Sequence, residues 1–203
     1  MYRGERFNSI THLVGAALAV AGAAVLIVSA SLQGDPWRIA SFSIFGAMLV
    51  LLYTASTLYH ALRPPAKDTL RRLDHSAIFL LIAGTYTPFA LVSLRGALGW
   101  TMLAAVWAAA IIGILRAWRR SDRHPHSALP FALMGWLGLV AVVPLTQALG
   151  VAGMSWLAVG GLLYSAGIVF YANDERWRHA HGIWHLFVIS GSASHFTAVV
   201  FYV

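Results

Sequence analysis

The chain has 203 residues, of which 59% are hydrophobic and only 10% charged, with a formal charge of +7 and a mean hydropathy of +0.72. Soluble domains average about 25% charged residues, so this composition describes an integral membrane protein. There is no cysteine, which excludes disulfides and thiolate metal sites and leaves His, Asp, Glu and hydroxyl oxygens for any ion.

In chain order, a short polar opening containing Glu5, Asn8 and His12 leads into an Ala/Gly/Val run ending near Ser31. Arg3 and Arg6 before the run and Ala21–Ala24 within it resemble a cleaved signal peptide. Glu5, Asn8 and His12 would be odd passengers there, so the stretch reads as a first transmembrane helix, residues 9–31. Polar breaks then divide the chain into further spans at 39–62, 73–94, 98–115, 128–149, 155–171 and 180–203. Their lengths fit a hydrocarbon core of about 30 Å. The expected architecture is an all-α integral membrane protein, one seven-helix transmembrane domain over residues 1–203. Connections this short leave no room for a soluble domain.

A cytoplasmic N-terminus places Arg3, Arg6, Arg63, Lys67, Arg71, Arg72, Arg116, Arg119, Arg120, Arg123, Arg176 and Arg178 inside, and only Arg38 and Arg95 outside. This bias follows the positive-inside rule and requires an odd number of spans, which puts the C-terminus outside. The positive charge is therefore accounted for by topology, and nucleic acid is not an expected partner.

Histidines concentrate in the last span. His181 and His185 are four residues apart, hence one above the other on a helix face, a spacing that suits a metal clamp. It also suits two histidines at the water interface or hydrogen-bonded to neighbouring helices. In the expected topology Ser56 and His60 end span two, Asp74 and His75 begin span three, and His181 and His185 begin span seven. Ser56, His60, Asp74, His181 and His185 therefore converge in the cytoplasmic half of the membrane. Ionisable groups there are costly and mark a functional site.

Three neutral imidazoles leave an open fourth position, as in catalytic zinc sites, where a water has its pKa lowered toward about 7. Asp74 would handle its proton and Ser56 would donate to a developing oxyanion. The plainer reading pairs Asp74 with Arg71 or Arg72 at the start of helix three and leaves His60 facing headgroups. Glu5, Asn8 and His12 share one face of helix one and reach the same leaflet; a hydrogen-bond network is as good a reading as catalysis, and Asn8 or Ser9 could cap the helix. His75 points about 100° away from Asp74 and reads as a residue behind the site or at the interface. His195, about 15 Å beyond His185 along the axis, reads as a hydrogen-bonder within the bundle. His124, His126 and His179 read as solvated loop residues. Gly84, Pro88 and the pair Gly160–Gly161 suggest close packing and a kink.

Ser56-Thr-Leu-Tyr-His60, Leu73-Asp74-His75-Ser76 running into Ala83-Gly-Thr-Tyr-Thr-Pro-Phe89, and His181-Gly-Ile-Trp-His185-Leu-Phe-Val-Ile-Ser-Gly-Ser resemble the hemolysin III family. This is the bacterial branch of the progestin and adipoQ receptor group, in a wider superfamily that includes alkaline ceramidases. The resemblance extends over essentially the whole chain, including Glu5-x-x-Asn8-x-x-Thr11-His12 and Met134-Gly-Trp136. It implies seven membrane helices in the bacterial inner membrane and an intramembrane zinc near the cytoplasmic side. The family's ligands fall on His60, His181 and His185, its aspartate beside the metal's water on Asp74, and its serine on Ser56.

Three functions then stand as expectations. The first is zinc-dependent hydrolysis of an amide or ester in a membrane lipid, ceramidase-like, with the lipid as partner. The second is a non-enzymatic, zinc-braced sensor or regulator of lipid homeostasis. A cytolysin is the third, without a mechanistic element in the sequence to support it.

Overall fold

The computed structural model describes residues 4–119 and 127–203. Arg3, Arg120, Arg123, His124 and His126, which entered the charge and loop readings, lie outside the described residues. The described residues are helical almost throughout: α1 (Arg6–Gln33), α2 (Pro36–Ala61), α3 (Ala66–Pro88), α4 (Ala97–Arg119), α5 (Leu129–Gly135), α6 (Val142–Tyr171) and α7 (Ala180–Tyr202). Six segments are long and apolar enough to cross a membrane, and the fifth of them is Leu129–Tyr171, 43 residues long.

That fifth segment is not one straight helix, which would extend for about 65 Å. Inside α6, Gly150 has φ 68° and ψ 174°, a backbone conformation open essentially to glycine. The chain doubles back there. The indole Nε1 of Trp136 donates to Ser165 Oγ at 3.0 Å, joining residues about equally far on either side of the bend. The outgoing limb passes through a 3₁₀ stretch, Trp136–Ala141, which Tyr86 of α3 holds. Its hydroxyl donates to Gly135 O and accepts from Gly138 N, both at 2.7 Å.

Helix ends follow local chemistry. Gly34, with φ 69°, closes α1, and at the very next residue Asp35 Oδ1 accepts from Trp37 N at 2.9 Å ahead of Pro36 to open α2, the usual glycine-stop and aspartate-proline-start pair. Pro88 removes a backbone donor, and the helix loosens into a π turn over Phe89–Ser93, as expected where a proline interrupts the ladder. The break expected near Pro88 is thus a π turn.

Two boundary expectations need correction. α3 begins at Ala66, not at residue 73, so Asp74 stands two turns inside the helix and does not cap it. Hydropathy marks where a span enters the apolar layer, whereas the helix itself continues through Lys67, Asp68, Arg71 and Arg72 into the polar layer. Likewise α1 opens at Arg6 with Glu5 at its cap position. Asn8 and Ser9 lie inside the helix and cap nothing.

Small residues let the helices close. A Cβ on Gly15 would lie 2.8 Å from the Tyr53 ring, and one on Gly46 would lie 2.9 Å from Ala23 Cβ. Phe42, Phe45, Leu26 and Val199 are fully buried between α1, α2 and α7. Leu13, Leu18, Val25, Ile111, Val159 and Leu162 are exposed, as lipid-facing side chains should be. At one end of the bundle Arg95 pairs with Asp35 at 3.1 Å, bringing together the connection before α4 and the start of α2, whose first turn carries Arg38. The start of α1, the end of α2, the start of α3 and the start of α7 meet at the other end.

Candidate metal centre

At that second end His60 reaches in from the last turn of α2, and His181 and His185 from the first two turns of α7. One ring nitrogen from each lies within 4.8 Å of the others. The rings pack edge to face, with centroids 5.0 Å apart for His60 with either partner and 4.8 Å for His181 with His185. Three histidines thus stand close enough together to bind a metal.

Each histidine is held from behind by its Nδ1. His60 Nδ1 donates to Glu5 Oε2 at 2.7 Å, and the same carboxylate takes Lys67 Nζ at 3.1 Å and Asn8 Nδ2 at 3.0 Å. The hydrogen bond from His60, outweighing partial burial, holds the Glu5 carboxyl down at about 2, so it remains an acceptor at neutral pH. His181 Nδ1 donates to Asp174 Oδ2 at 3.0 Å. His185 Nδ1 lies 3.1 Å from Asn8 O and 3.0 Å from Thr11 Oγ1. The Thr11 hydroxyl hydrogen is directed at the carbonyls of Phe7 and Asn8, and a carbonyl cannot donate. The hydrogen between them therefore belongs to His185.

All three imidazoles accordingly carry their proton on Nδ1 and keep the Nε2 lone pair free, the tautomer that a metal-ligating histidine with an oxygen partner behind it adopts. His60 Nε2 is buried without any hydrogen-bond partner. An orphaned buried nitrogen is costly, about 1–3 kcal/mol, and a cation beside it would remove that cost. The donor set suits a divalent ion that accepts nitrogen ligands.

Ser56, one turn before His60, and Asp74 from α3 are both buried and line one cavity of about 1040 Å³ together with His12, His181 and His185. The Ser56 hydroxyl approaches the Asp74 carboxyl without an aligned hydrogen bond. His12 lies flat on His185, centroids 3.5 Å apart and planes at 15°, and both its nitrogens are buried and unpartnered. His75 turns the other way, its Nδ1 2.7 Å from Arg71 O, although it still borders the cavity. His179 is exposed at the start of α7, as expected. His195 binds Leu157 O at 3.1 Å, the hydrogen bond within the bundle expected of it.

Asp174 and Thr11 carry no role in the sequence reading. Asp174 lies seven residues before His181 in a connection with no helical period, so no spacing rule links them. Thr11 was visible only as part of the Glu5-to-His12 stretch, with nothing to pair it with His185.

The fold and site together define a multi-pass integral membrane protein with a three-histidine cluster, His60 and His185 buried and His181 half-buried, at one end of its helix bundle. The haemolysin-III related family model matches residues 1–196. The chain belongs to that family. It is 46% identical over 201 residues to hemolysin-3 of Bacillus cereus, covering 98% of this chain and 91% of that protein. To the hemolysin-3 homolog of Bacillus subtilis it is 46% identical over 200 residues, covering 98% and 93%. The human monocyte to macrophage differentiation factor is 30% identical over 199 residues, covering 95% and 81%.

Proposed function

We propose that this chain is a zinc-dependent hydrolase acting on an amide or ester of a membrane lipid. The carrying observation is the set of three Nδ1-anchored histidines, two of which, His181 and His185, share the wall of one cavity with Ser56 and Asp74. His60, His181 and His185 would hold the zinc, each offering the Nε2 lone pair left free by its Nδ1 hydrogen bond. Zinc at such a site supplies a Lewis acid and lowers the pKa of a water to about 7.

The protein's own groups do the rest. Asp74 takes the proton released when water adds to the lipid carbonyl, then returns it to the departing nitrogen or oxygen. Ser56 directs its unpartnered hydroxyl at the carbonyl oxygen as negative charge develops there. The cavity takes the acyl chain along Leu52, Ile78, Leu81 and Val188 and keeps bulk water from the reacting carbonyl.

The chain forms one domain that crosses the bacterial cytoplasmic membrane seven times, the fold-back at Gly150 supplying the extra crossing. The N-terminus is cytoplasmic and the C-terminus outside, with the metal near the cytoplasmic face and a membrane lipid as partner.

Metal analysis of purified protein beside its variants tests the reading. Wild type should carry one zinc per chain and His181→Ala none. Asp74→Asn and Ser56→Ala should keep the metal and lose hydrolysis of ceramide-like and ester lipids by about 100-fold or more. Zinc retained with turnover unchanged in both would assign the cluster to bracing helices α2 and α7, as in a lipid sensor. A wild type without metal would remove the hydrolase reading.

A further inference from the structure

His12 of α1 borders the histidine cluster without joining it. Its ring lies flat on His185, centroids 3.5 Å apart and planes at 15°. Both its nitrogens are buried and without a partner. With both nitrogens enclosed, His12 can act on its neighbours only through its ring face.

Three helices hold that face in place. Tyr53 of α2 meets His12 edge-on, centroids 5.1 Å apart and planes at 80°, and the Tyr53 hydroxyl donates to Ser192 Oγ of α7 at 2.8 Å. A Cβ on Gly15, one turn after His12, would lie 2.8 Å from the Tyr53 ring, so only a glycine there lets Tyr53 reach this position. His185, by contrast, is anchored along one edge, its Nδ1 facing Asn8 O and Thr11 Oγ1. Hydrogen bonds at one nitrogen leave a ring free to rock, and rocking swings the Nε2 lone pair. The flat contact with His12 removes that freedom. Among the described residues His60 and His181 have no such support, since the rings around them meet them at 47° to 73°.

The overlap also has an electrostatic sense. Aromatic faces are electron-rich, so neutral rings prefer an offset or edge-on arrangement to a full sandwich. With centroids 3.5 Å apart the two imidazoles overlap almost completely. Such a sandwich becomes attractive when one ring is electron-poor, as an imidazole is when a cation draws on its nitrogen. The same electrostatics bring a cation to a ring face.

We infer that His12 is a positioning residue for the metal centre: its stacked face fixes the plane of His185, aims the Nε2 of that ligand and strengthens its hold on a divalent cation. The inference rests on the metal-binding half of the proposed function and adds a residue that acts through His185.

The test titrates zinc against a competing chelator in the purified full chain. His12→Leu removes the flat face, and His12→Phe keeps the face without the nitrogens. His12→Leu should bind zinc about three- to ten-fold more weakly than wild type, and His12→Phe should stay within about two-fold of it. Cobalt, bound in place of zinc, should show visible bands displaced in His12→Leu and unmoved in His12→Phe; loss of packing alone would lower Tm and leave the bands where they are. Equal zinc affinity in all three proteins overturns the inference. So does a loss in His12→Phe matching that in His12→Leu, which would assign the effect to the nitrogens. A wild-type measurement stands even where a variant fails to fold. In zinc-loaded protein with isotope-labelled histidine, the ring current of His12 should move the His185 ring protons upfield of those of His60 and His181, and coincident positions overturn the stack. One zinc per chain with unshifted His185 protons removes this inference alone, whereas a wild type that binds no zinc removes the metal reading with it.

Discussion

Glu5, Asp174 and the Asn8–Thr11 pair each present an oxygen to the Nδ1 of one histidine. Oxygens in this position fix the tautomer and raise the basicity of the opposite nitrogen, and their loss commonly weakens metal binding by about 10–100-fold. Glu5→Gln and Asp174→Ala should each fall in that range when zinc is titrated against a competing chelator. Thr11→Val should cost less, because the Asn8 carbonyl remains as an acceptor for His185. Equal affinity in wild type and Asp174→Ala would show that His181 does not depend on its carboxylate. Asp174 is also the residue least accessible to sequence reasoning. It approaches His181 only because the connection between α6 and α7 curls back, whereas His181 and His185 meet through helix period alone.

Single backbone features shape two of the elements. Gly150 has no neighbour within 4 Å of where a Cβ would sit, so Gly150→Ala brings no clash and tests conformation by itself. Holding alanine at this φ/ψ should cost about 1–3 kcal/mol, read as a fall in Tm in detergent; an unchanged Tm would mean that the bend does not need glycine. Tyr86 ties α3 to the 3₁₀ stretch beyond α5. Tyr86→Phe leaves the Gly138 N–H without its partner and should lower stability by about 1–3 kcal/mol, with zinc content unaltered. An interruption between residues 149 and 155 was legible in the sequence as the gap between two expected spans. The pairing of Trp136 with Ser165 was not, because the contact depends on how the two limbs lie against each other.

For the whole molecule, the distribution of arginine and lysine and the Arg95–Asp35 ion pair agree on which connections share an end. A fluorescent protein fused at the N-terminus should fluoresce, and alkaline phosphatase fused at the C-terminus should be active, since each reporter works on only one side of the bacterial cytoplasmic membrane. The reverse pattern would place the histidine cluster at the outer face and refute the positive-inside assignment. The exposed apolar belt and the buried polar cluster at one end arise from the same arrangement: small residues bring α1, α2 and α7 together, and their ends carry the polar side chains.

Composition and helical period were enough to establish the membrane class and the pairing of His181 with His185, because these depend only on local hydropathy and on neighbours within one or two turns. The expected topology brought His60, Asp74 and Ser56 to the same end, and the family motifs assigned them their roles by resemblance. The tertiary structure decided what lies behind and beyond those residues: Glu5 and Asp174 on the histidines, the flat contact of His12 on His185 and the fold-back at Gly150. Each of these is a contact between elements whose separation along the chain carries no period. Only the packed bundle fixes which side chains meet.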